Sequence, residues 1–171
     1  DKSILFKHSS EAIIRDIKVQ TLQPYADLVT VAAHCMYKEQ MFALSDYYTF
    51  ALSSQLYHEA IKLAESTYTK FALETALKLT HDITVNAFGS DNVPAKRLKN
   101  SLQRISASEI TQSSRNIDLP MKYNFRLVLE GMSKKILEDP STRNSLPTAL
   151  KSTLQFKSIN ELLSHIKRKG Y

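Results

Sequence analysis

The stretch FALSDYYTFALSSQLYHEAIKLAESTYTKFALETALKLTHDITVNAF, residues 42–88, decides the fold. It contains neither proline nor glycine, and its apolar residues recur at helical spacing. Leu44, Tyr48, Leu52, Leu56, Ala60 and Leu63 form one stripe, and Phe71, Ala72, Ala76, Leu79 and Ile83 form another. Residues three or four positions apart share a buried face only on a helix. The run is long for a single globular helix, so a break is expected near Ser66–Thr69. Gly89 follows at the C′ position, where a positive φ ends a helix cheaply.

Working outward toward the N-terminus, Pro24 suits the first turn of a helix running to about Lys38. Leu28–Met36 within it carries few polar residues and is expected to be the most buried helical segment. An earlier helix is expected from about Ser10 to Val19, capped by Ser9 or Ser10, with Ile13, Ile14 and Ile17 inward.

Toward the C-terminus, Asp91–Pro94 reads as a turn and cap. A helix over Val93–Ser106 would turn Ala95, Leu98, Leu102 and Ile105 inward. Ser106 with Glu109, and Ser158 with Glu161, stand at capping-box spacing. Gln112–Asp118 reads as a polar loop. Pro120 is expected to open a helix to about Glu138, with Phe125, Val128, Leu129, Met132 and Ile136 inward, stopped by Asp139–Pro140. A last helix would carry Ile159, Leu162, Leu163 and Ile166 and end at Gly170. The fold class is therefore all-α, a compact bundle of about seven helices with no sheet. The chain is expected to form one domain, 1–171, its one candidate division giving packed subdomains 1–90 and 91–171. Tyr57–Ala64 resembles one helix of a tetratricopeptide repeat, but no copy stands about 34 residues away.

Charge is divided along the chain. Residues 1–91 carry 8 Lys/Arg against 11 Asp/Glu, and residues 92–171 carry 15 against 6, together the net +6. The second half is thus suited to an anionic partner. Three clusters make its candidate basic face: Lys96, Arg97, Lys99 and Arg104; Lys122 and Arg126; and Lys167, Arg168 and Lys169. Tyrosines concentrate between Tyr25 and Tyr68, and Tyr47, Tyr48, Tyr57 and Tyr68 are the candidate lining of a partner groove. Core-edge tyrosines are the competing reading.

Several classes are excluded. Three isolated glycines rule out a P-loop or dinucleotide fingerprint. One cysteine, Cys35, excludes an internal disulfide and a multi-cysteine zinc site, and the five histidines lack metal-ligand spacing. No cofactor and no metal are expected. No apolar run approaches the roughly 18 residues of a membrane-spanning helix. The chain opens at Asp1, so a targeting segment removed before it stays open, and the cytoplasm is the default compartment.

The expected function is a non-enzymatic interaction or scaffold domain within a larger assembly. Its partner would be another protein or further copies of itself, docked through the basic face. A nucleic-acid-binding protein of the packaging or partition type, using the same face, is the alternative. An enzyme using Cys35 stands third.

Overall fold

The computed structural model describes residues 2–89 and 119–145, excepting the side chains of residues 2 and 3. The expected helices Val93–Ser106 and Ser158–Gly170, both capping boxes and the loop Gln112–Asp118 lie outside the described residues.

Helices dominate, as the periodicity requires. A short α1 (Lys2–Phe6) leads into an antiparallel hairpin of β1 (Ser9–Ile14) and β2 (Ile17–Leu22). Helix α2 (Pro24–His34) continues as a π-helical turn, Cys35–Glu39. After β3 (Met41–Phe42) come α3 (Leu44–Leu52), a 3-10 turn (Ser54–Leu56), α4 (Tyr57–Ser66) and α5 (Lys70–Phe88). Strand β4 (Met121–Lys122) pairs antiparallel with β3, Met41 opposite Lys122 and Phe42 opposite Met121. Helix α6 (Phe125–Glu138) follows, and 140–145 is helical again.

Local chemistry explains most of these boundaries. Pro24 occupies the first turn of α2, where its missing N–H costs nothing. Ala26, Leu28, Val29, Ala32, Cys35 and Met36 are all buried, so this segment lies in the core as its composition implies. The π-turn closes at Gln40, which takes a left-handed conformation (φ +56°) and donates its N–H to Cys35 O. Asp46 begins α3 by accepting the Ala43 N–H at 2.7 Å.

The expected break near Ser66–Thr69 is present. Tyr68 is left-handed (φ +56°), Thr67 Oγ1 donates to Leu63 O at 3.0 Å, and the Thr67 and Thr69 hydroxyls lie 2.8 Å apart. Lys135 of α6 reaches across to donate to Thr67 O at 2.9 Å, tying the turn to the far end of the described chain. Helix α5 buries Thr75, Thr80 and Thr84, and each hydroxyl is satisfied by the carbonyl four residues earlier. Gly89 ends the helix with φ +86°. Gly131 lets α6 approach closely, since a Cβ there would lie 3.1 Å from the Phe71 ring and 3.3 Å from Met36 Sδ.

Four expectations are corrected. The bundle includes sheet: two small two-stranded ladders among the described residues. Residues 10–19 form a hairpin, not a helix. Ile13, Ile14, Ile17, Val19 and Thr21 are β-branched and stiff at χ1, which favours extended backbone. Arg15 and Asp16, with φ +48° and +63°, supply the two positive-φ residues of a two-residue hairpin turn. The helix expected from Pro120 begins only at Phe125, because Met121 and Lys122 are held by β3. Asn124 then caps it, accepting the Arg126 N–H at 3.0 Å.

The inward stripes also differ in phase. Leu44, Tyr48 and Leu52 are exposed while Tyr47 and Phe50 are buried. Likewise Phe125 and Leu129 are exposed while Leu127, Val128 and Gly131 face inward. Continuous stripes from α3 into α4 cannot form, because the chain turns at Ser53–Leu56.

Candidate functional site

The hairpin is the most unusual surface. Its register puts Ser10–Thr21, Ala12–Val19 and Ile14–Ile17 on one face, and Ser9–Leu22, Glu11–Gln20 and Ile13–Lys18 on the other. The first face carries no charge. The second holds an ion pair, Lys18 Nζ to Glu11 Oε1 at 2.9 Å. Among the described residues the anchoring is at the base: Gln23 N–H donates to His8 O at 2.8 Å, and Leu22 packs against the core. His8 Nδ1 lies 2.8 Å from the Tyr25 hydroxyl, with the rings edge to face. Toward the tip Ile13, Ile14 and Ile17 are 69%, 56% and 64% exposed. A two-stranded ribbon is marginal alone and gains stability when a face is covered.

Sequence periodicity placed these three isoleucines in a core. The signal that would have found them is the alternation Ile17-Lys18-Val19-Gln20-Thr21, which has a period of two rather than 3.6. A second apolar strip, Leu44, Tyr48 and Leu52, runs along the outer side of α3.

The candidate basic face is only partly within the described residues. Lys96, Arg97, Lys99, Arg104, Lys167, Arg168 and Lys169 lie outside them. Lys122 on β4 and Arg126 in the first turn of α6 are exposed. Further along α6 the lysines are engaged within the fold. Lys134 pairs with Glu130 at 2.9 Å and sits 4.2 Å over the Phe71 ring. Lys135 bonds Thr67 O and pairs with Asp139 at 3.1 Å.

The four candidate groove tyrosines do not share a surface. Tyr47 is buried with its hydroxyl 3.3 Å from Thr84 Oγ1, and Tyr57 is buried and donates to Phe50 O. Tyr48 is exposed beside the Tyr47 ring, and Tyr68 stands at the α4–α5 turn. Two of the four thus follow the core-edge reading, ring inside and hydroxyl satisfied.

Cys35 is buried. Burial, then the charge of the neighbouring Asp46 carboxylate and a hydrogen bond to it, hold its thiol well above the usual range. A thiolate is thereby disfavoured, and the thiolate is the nucleophile. We expect a soluble thiol reagent to label the native protein at least about 100-fold more slowly than the denatured chain. Equal rates would place Cys35 at the surface.

The histidines are also dispersed. His34 Nε2 lies 3.3 Å from Glu39, and His81 Nδ1 lies 3.2 Å from Asp82 Oδ1, which also takes Lys78 Nζ. Among the described residues no group of three or more His, Cys, Asp or Glu side chains could hold a metal ion. Among them, too, no helix is long and apolar enough to cross a membrane. Comparison with protein-family models, with curated proteins and with solved structures found no match to this chain.

Proposed function

We propose that this chain is a non-enzymatic interaction domain of a larger assembly, and that the hairpin is its contact element. The observation that carries the reading is the uncharged face Ala12, Ile14, Ile17 and Val19, whose two isoleucines stand in solvent at the tip of a ribbon that, among the described residues, is anchored at its base. Burying one isoleucine contributes about 1.5–3 kcal/mol, so this face yields most when a partner covers it. The chain's net charge of +6 suits a protein partner that is acidic around an apolar patch. The protonated, enclosed Cys35 agrees with a role that needs no nucleophile.

The test uses a photo-cross-linking residue at position 14 on the apolar face, and separately at position 11 on the charged face. In extract from the native source, position 14 is expected to capture one dominant protein and position 11 none. Ile14→Asp with Ile17→Asp is expected to weaken that complex about 100-fold or more while the helical circular dichroism is retained. Equal capture at both positions, or an unaffected complex, overturns the reading. A nuclease-sensitive complex whose affinity falls steeply with salt would instead favour nucleic acid at the basic half.

A further inference from the structure

Cys35, Asp46 and Tyr123 come from three separate segments, and a single residue joins the backbones of Cys35 and Tyr123. The Gln40 N–H donates to Cys35 O, closing the π-turn, while Gln40 O accepts the Tyr123 N–H at 3.0 Å. The β3–β4 ladder continues that contact, and α3, which carries Asp46, starts immediately after it. π-turns widen a helix locally and frequently mark functional sites. Gln40 is also one of four non-glycine residues with positive φ among those described.

Within this knot one group is left over. Tyr123 is fully enclosed, yet its hydroxyl has no hydrogen-bond partner among the described residues. Buried hydroxyls are almost always satisfied, because losing hydration without a replacement is costly. Its charged and polar neighbours are Asp46 and Cys35. Burial comes first, then these two neighbours, in holding the phenol well above its ordinary range, so it is an O–H donor in need of an acceptor. Asp46 accepts and cannot donate, and the phenol does not reach it directly. What joins them must both accept and donate. It must also be small, since Tyr123 is 0% and Cys35 2% exposed.

We propose that this knot holds one buried water molecule. The water accepts from the Tyr123 hydroxyl and donates to the Asp46 carboxylate, with the Cys35 sulfur as its third neighbour. Three polar partners are the usual complement of an internal water. The molecule then links the strand that leads into α6 to the π-turn and the start of α3, two elements already joined to each other by the hydrogen bond between Cys35 and Asp46.

A crystal structure that shows ordered solvent tests this directly, together with urea unfolding of Tyr123→Phe, which keeps the ring. The expected result is a water within hydrogen-bond reach of both Tyr123 Oη and the Asp46 carboxylate. Loss of the hydroxyl should lower the ratio of folded to unfolded protein about five-fold. A dry Tyr123 Oη overturns the proposal, and so does a phenylalanine variant as stable as the parent or more so. Should that variant fail to fold, the solvent structure of the parent decides alone.

Discussion

Phe50→Ala is expected to lower the free energy of unfolding by about 3–5 kcal/mol, a large share of the roughly 5–15 kcal/mol typical of a folded domain. Phe50 is fully buried on α3 and stacks on Phe42 of β3, ring centroids 6.1 Å apart and planes 26° from parallel. Its carbonyl accepts the Tyr57 hydroxyl, so the residue joins α3 both to the β3–β4 ladder and to the start of α4. Alanine would leave a cavity bounded by elements that backbone pairing prevents from closing inward. Phe50→Leu, which refills most of the volume, should lose markedly less, about 1–2 kcal/mol. Urea denaturation midpoints of the three proteins measure this directly. Equal losses for leucine and alanine would mean that ring stacking rather than volume sets the cost.

Asp139→Asn should cost about 3 kcal/mol at neutral pH, and the deficit should shrink in acid. Asp139 is buried at the junction of α6 and 140–145. One carboxylate oxygen accepts the Ser141 N–H at 2.9 Å and the Ser141 hydroxyl at 2.7 Å. The other accepts Thr142 Oγ1 at 2.8 Å and Lys135 Nζ at 3.1 Å. Burial alone would raise its pKa. The hydrogen bonds from Ser141, Thr142 and Lys135, with the charge of Lys135, outweigh burial and hold the carboxyl well below the usual range. A carboxyl whose folded pKa lies below its unfolded value of about 3.9 stabilises the fold above that value. The contribution is lost as pH falls from there toward the folded pKa. The gap between parent and variant should therefore be full at pH 7 and narrow below about pH 4. A gap independent of pH would mean that the side chain's shape, rather than its charge, is what matters.

The same residue shows how far local reading reaches. Asp139–Pro140 was legible as a stop for α6, because proline cannot continue the hydrogen-bond ladder. That Asp139 also caps 140–145 and pairs with Lys135 depends on burial, which spacing does not reveal. Pro24 and the break at Thr67–Thr69 were legible for similar local reasons. The hairpin was misread because Ile13, Ile14 and Ile17 satisfy a helical period as well as they satisfy strands. Of the candidate site, Lys122 and Arg126 are exposed, the other basic residues lie outside the described residues, and the tyrosines divide between core and surface. Tyr47 and Tyr48 are neighbours in sequence, yet the first is buried and the second exposed, because successive residues on a helix point about 100° apart.

Phase is the dividing line more generally. By itself the sequence determined that this chain is mainly helical, where α2 begins and is buried, and where α4 gives way to α5. Those features follow from proline, from the density of apolar residues and from capping within a few positions. Only the tertiary structure decided which sides of α3 and α6 face inward, that Met41–Phe42 pairs with Met121–Lys122, and that three isoleucines stand in solvent. These depend on contacts between residues some 80 positions apart in the chain, or on a face left uncovered, and neither leaves a periodic trace in the residues concerned.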